Sequence, residues 1–150
     1  MAQVQTSYQE RMPVAVAGMP ATMSGWDVDT KLCETDAGIP FGRAVSQGAA
    51  DRGVVLGGTG FLGVSMRDPT LPPSSGDINL DNMDMGVLVR GDIWVEVSAD
   101  VAVGDAVAYN TTTGLFGAGQ AIPNARWMTS ADANGLAILR LAGGIGGVSA

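Results

Sequence analysis

The chain reads as an all-β protein: a small β-barrel or sandwich of about eight to ten short antiparallel strands, with an extended N-terminal arm. Three observations point there. Glycine is abundant, at 22 of 150 residues, while charged residues make up only 15 %. That balance, with Val and Thr in place of Glu and Lys, favours strands and turns over helices. Short apolar runs recur at near-regular spacing and end in turn residues, and no stretch sustains helical periodicity.

Composition removes several function classes. The length is that of one domain, and such a chain buries about two-thirds of its unfolded surface without a metal or disulfide staple. The net charge is −7, with a single lysine. Nucleic-acid binding needs clustered cations that displace counterions, and no window holds such a cluster, so no nucleic-acid partner is expected. The chain has one cysteine, Cys33, and no histidine. That excludes an intramolecular disulfide, the Ser-His-Asp and Cys-His arrangements, and the common zinc sites. No run approaches the roughly twenty apolar residues of a membrane span, and residues 13–19, PVAVAGM, read as mature chain. No cofactor, no catalytic residue and no metal ligand is expected.

The elements follow in order. Residues 1–35 form the arm. They have little periodicity and carry Pro13 and Pro20, yet Met12, Val14, Val16, Met19, Met23 and Trp26 make them more apolar than a solvated tail. The reading is an extended segment that packs on a neighbouring subunit; a disordered terminus is the alternative. Residues 36–150 form the barrel or sandwich. Strands are expected at 39–45, 52–56 and 61–66, followed by a long loop over 67–86. Two further strands, Val87–Arg90 and Ile93–Val97, flank a Gly91-Asp92 turn. Short strands at 101–103, 106–109, 115–116, 125–128 and 136–141 complete the set, with a hairpin loop over 110–114. A short helix is possible at 6–12 or 129–134.

Three motifs invite chemistry. Gly58-Thr-Gly60-Phe-Leu-Gly63 matches the dinucleotide fingerprint G-x-G-x-x-G after the apolar run Val54–Leu56. The fingerprint needs a helix whose N-terminus faces the phosphates. Pro69, Pro72 and Pro73 leave no room for one, so the motif reads as a tight link between strands. Asp77-Ile-Asn79-Leu-Asp81-Asn82-Met-Asp84 begins like a calcium loop, but Asn82 replaces the turn glycine and Leu88 the bidentate glutamate; it reads as a solvated acidic loop. Asp92, Asp100 and Asp105 sit beside turn-like residues, where aspartate is favoured for its own hydrogen bonding. Arg43, Arg67, Arg90 and Arg126 are isolated cations. Trp94, Trp127 and Tyr109 are either core or subunit-interface residues or stacking platforms for a glycan.

Four strings, in order, carry a resemblance: IPFGRAV (residues 39–45, within 34–45), GDIWV (91–95), GDAVAYN (104–110) and ARWMTS (125–130). The chain resembles the structural cement, or capsid decoration, proteins of tailed bacteriophages over about residues 34–141. The resemblance implies a non-enzymatic protein that binds the outer surface of a phage capsid, as a homodimer or homotrimer. It implies the major capsid protein as partner and stabilised contacts between capsid subunits. Contact residues are inferred as Met12, Val14, Val16, Met19, Trp26, Asp77, Asp81 and Asp84. The alternatives are an all-β receptor- or glycan-binding virion module and a nucleotide-binding enzyme using GGTGFLG.

Overall fold

The computed structural model describes residues 15–23, 25–71 and 78–142, and among them there is no helix. The strands are β1 (Asp27–Cys33), β2 (Ile39–Pro40), β3 (Ala44–Gln47), β4 (Gly53–Leu56), β5 (Phe61–Ser65), β6 (Ile78–Asn79), β7 (Asp84–Glu96), β8 (Ala106–Tyr109), β9 (Gln120–Trp127) and β10 (Leu136–Leu141). The main sheet runs β1-β4-β3-β5-β7-β10-β9-β8, and β1 also pairs with β7. That second pairing closes β1, β4, β3, β5 and β7 into a five-stranded barrel. β10, β9 and β8 extend outward from β7, and β2 and β6 form a small separate ladder.

The expectation of purely antiparallel strands needs one correction. β1 and β4 run parallel, with Leu32 opposite Gly53 and Cys33 opposite Val54. The reason is geometric: strand directions can alternate around a closed ring only when the number of strands is even. A five-stranded barrel must contain a parallel pair.

β7 is a single strand of 13 residues, not two strands about a turn. It pairs with β1 along Asp84–Arg90, with β5 at Val87 and Leu88, and with β10 along Gly91–Glu96. Side chains alternate faces along a strand. Met85 and Val87 accordingly enter the barrel core with Cys33, Ile39, Val45 and Val54. Leu88 faces the other way, into a larger core with Tyr109, Phe116, Trp127 and Leu139, and Ile93, Val95 and Val97 join that same core. Leu88 and Ile93 differ in parity, so the alternation is broken between them. There, Asp27 and Val28 of β1 pair with Arg90 and Leu88 and skip Val89, and Gly91 just beyond has a φ of +126°. A bulge re-aims the strand without ending it.

Other boundaries moved for similar local reasons. Residues 39–45 split into β2 and β3 because Gly42, at φ +73°, turns the chain between them. Residues 101–103 and 115–116 contribute isolated bridges, Val101 to Ala131 and Phe116 to Val97 and Tyr109. Residues 129–134 form bends and turns, and the possible helix at 6–12 lies outside the described residues.

Asp27–Cys33, inside the stretch assigned to the arm, is a barrel strand. Just before it, residues 18–21 lie along the free edge of β7. Gly18 N–H donates to Trp94 O at 2.8 Å, Trp94 N–H to Met19 O at 2.9 Å and Ala21 N–H to Asp92 O at 2.9 Å. Asp92 is 3 % exposed. The Arg140 guanidinium clasps it with two hydrogen bonds of 2.7 and 2.8 Å, and the Thr22 hydroxyl donates to it at 2.7 Å. Such a charge is tolerable inside only because it is paired and hydrogen-bonded.

Gly91 is therefore a position where substitution is costly. A Cβ there would stand 2.7 Å from the Trp26 Cβ, in a backbone region almost reserved for glycine. Gly91→Ala is expected to lower unfolding free energy by at least about 2 kcal/mol, read from the urea midpoint. A midpoint equal to wild type would overturn this account of the bulge.

Candidate functional site

The glycine-rich stretch is the sharpest chemical motif, and its geometry is closed to nucleotides. β5 begins inside it, at Phe61, and contains Gly63, so the helix that the fingerprint requires is replaced by a strand. Gly57 and Gly58 adopt φ of +67° and +80°, and their amides are already engaged. Gly57 N–H donates to Ala44 O at 2.9 Å and Gly58 N–H to Thr111 O at 2.8 Å. The Ser46 hydroxyl bonds Gly57 O, the Tyr109 hydroxyl donates to Gly58 O at 2.7 Å, and the Gln120 amide donates to Thr59 O at 2.7 Å. A phosphate cradle needs free amides; here they tie the β4–β5 link to β3 at Ala44 and to the loop after β8 at Thr111.

The aromatic platforms dissolve in the same way. Trp127 is 1 % exposed and Tyr109 fully buried. Phe61 packs on Tyr109 at 5.4 Å, and Phe116 meets Trp127 edge-on at 6.3 Å. Trp94 is half-buried. Tyr109 and Trp127 fill the core and offer no face to a sugar.

The acidic loop does not converge on one point. Asp77 lies outside the described residues. Asn79 is buried and its amide donates to Met66 O at 3.5 Å. Asp81 accepts from the Asn82 amide at 3.0 Å, and Asp84 pairs with Arg52 at 3.1 Å. No cluster of three or more metal-ligating side chains occurs among the described residues.

Of the inferred contact residues, Met12 and Val14 lie outside the described residues. Val16 and Trp26 are 42 % and 46 % exposed, and Met19 is half-buried against β7. The structure adds apolar neighbours that the sequence did not single out as contacts: Met23, at 96 % exposed, and Val28, at 41 %. An exposed apolar run on so small a chain is the feature most in need of a partner. The Asp92–Arg140 pair was also missed, since 48 residues separate its members and no local pattern joins them.

Comparison with known protein families matches residues 4–142 to the structural cement proteins (E217 gp24/Pam3 gp6). The chain belongs to this family. Structural cement proteins are non-enzymatic components of phage capsids, and this chain is a capsid structural protein of the virion. Among solved structures it is similar to a chain in "The capsid of Myoviridae Phage XM1", with a TM-score of 0.71. Identity there is 17 %, over 93 % of this chain and 97 % of the other. No curated protein matches the sequence.

Two predictions test this site. Gly60, the second glycine of the fingerprint, lies outside the left-handed region, and a Cβ there meets nothing within 4 Å. Gly60→Ala is expected to change stability by no more than about 0.5 kcal/mol; a larger loss by urea titration would contradict the open-loop geometry. Burial pushes the Cys33 thiol above its ordinary range, with its sulfur near Thr35 O and Asn79 O. An acid whose folded pKa is raised stabilises the fold below its unfolded pKa and loses that contribution as pH rises past it. Native Cys33 should therefore resist iodoacetamide, and stability should fall above about pH 8.5, less steeply in Cys33→Ala. Rapid native alkylation, or identical slopes in the two proteins, would count against the assignment.

Proposed function

We propose that this cement protein binds the outer surface of the capsid and clamps neighbouring major capsid protein subunits, itself assembling as a homodimer or homotrimer. The observation that supports the reading is the apolar run on the barrel's N-terminal side. Val16, Met23, Trp26 and Val28 are exposed, while residues 18–21 between them are fastened to β7 by backbone hydrogen bonds. A segment held rigidly at its root with its apolar side chains uncovered is suited to burial on a neighbour.

In this reading Met12, Val14, Val16, Met19 and Trp26 supply apolar contact, and Asp77, Asp81 and Asp84 meet basic groups of the shell. At about 25 cal/mol per Å², an arm burying several hundred apolar Å² contributes several kcal/mol before ordering costs. A shell repeats that contact at every copy. The rigid barrel fixes the spacing between the points it bridges. The arm ends before β1, near residue 26, because Asp27–Cys33 belongs to the barrel.

The test is a truncation that spares β1 and the strap on β7. Deleting residues 1–14 should leave the β-sheet circular dichroism intact and reduce co-sedimentation with capsids at least about tenfold. Undiminished co-sedimentation by the truncated protein would remove Met12 and Val14 from the contact; if Val16→Asp/Trp26→Asp in the full chain also binds undiminished, the arm contact falls. If the full chain stays at the top of a sucrose gradient while capsids from the same lysate sediment, the clamp reading falls altogether.

A further inference from the structure

We propose that an arginine face on the outer sheet docks a carboxylate-bearing segment of the major capsid protein. The inference rests on the capsid-binding reading and names the chemistry of one contact.

The face is built by register. Arg126 of β9 stands directly opposite Arg140 of β10, and Arg140 in turn opposite Asp92 of β7. Arg90 lies two residues before Asp92 on β7. Two adjoining depressions join these groups. Gly25, Arg90, Asp92 and Arg140 line one; Asn124, Arg126 and Arg140 line the other. Ala142 borders both. Trp26 does not line either depression, but its Cβ lies against Gly91, which lines the first.

The charges there do not balance. Like charges directly opposite on neighbouring strands repel. Arg140 is neutralised because both its hydrogen bonds go to Asp92. Asp92 also accepts from Thr22, so it is committed. Arg90 and Arg126 are exposed, and neither makes an ion pair with a carboxylate among the described residues. Three of the chain's eight cations thus share one small area with two carboxylates, Asp92 and the exposed Asp27 that stands opposite Arg90 on β1, which leaves an excess of one positive charge on a protein whose net charge is −7.

That arrangement selects a carboxylate donor. Guanidinium forks take carboxylates in planar, two-point pairs, and Arg with Trp is the composition of interface hot spots. Phosphate backbones are the poorer fit. A nucleic acid would bring one charge per about 1.7 Å of axis against an acidic protein, with only two free arginines to release counterions.

The experiment uses the full chain and capsids assembled from major capsid protein alone. Wild type should co-sediment, with affinity falling as salt rises from low to moderate ionic strength. The double variant Arg90→Glu/Arg126→Glu should lose at least about tenfold in affinity and change the slope of affinity against salt, with an unchanged melting curve. A control variant, Thr59→Asp/Thr112→Asp, adds charge elsewhere and should bind as wild type does. Undiminished binding by the arginine variant overturns the proposal while leaving capsid binding intact. So does a loss explained by altered self-association in sedimentation equilibrium, which would assign the face to a second copy. Competition by duplex DNA would reassign it to phosphates. Failure of wild type to bind removes this proposal and the capsid-binding reading together.

Discussion

Everything in this fold hangs on β7 serving two cores at once. Its first half closes the five-stranded barrel against β1 and β5; its second half founds the outer sheet through β10. Unbroken alternation would send Met85 and Val87 to one core and Leu88 to the other, but it would also return Ile93, Val95 and Val97 to the first core instead of the second. Gly91 resolves the conflict with a backbone angle that only glycine adopts cheaply. The same residue leaves room for Trp26, whose side chain would collide with any Cβ there. Barrel closure, the second core and the position of the exposed tryptophan are therefore one constraint, not three.

Much of this architecture was legible in the sequence, and the illegible parts share a cause. Alternation made β10 and the second half of β7 plain, since Ile93, Val95 and Val97 all face one core. Gly91-Asp92 looked like a turn because the glycine that allows a reversal also allows a bulge; only the pairing partners decide which. β1 was invisible for a different reason. Residues 27–30 are all exposed, so the strand carries little apolar signal and owes its place to pairing with β7. The parallel β1–β4 contact follows from the count of strands in the ring, which no local window reveals.

The site was legible mainly by exclusion. The absence of histidine and the prolines after Gly63 argued against catalysis and nucleotide binding. The structure supplied the physical reason, in amides already bonded to Ala44 and Thr111. The charge pattern was harder to read. Arg90, Arg126 and Arg140 looked isolated because they are spread over three strands, and the carboxylate that satisfies one of them lies 48 residues away. Sheet register, and nothing in the local sequence, brings them to one face.

The strap on β7 bears on how load enters the molecule. Residues 18–21 run antiparallel to Asp92–Trp94, joined by three backbone hydrogen bonds. A pull applied along the strap, parallel to β7, strains those bonds together, in shear. Peeling from one end would break them one at a time and at lower force. The tension then passes into a strand that is stitched on its other edge to β10 and, farther down, to β1 and β5. Force delivered at the N-terminus is thereby spread over both cores before any one element carries it alone.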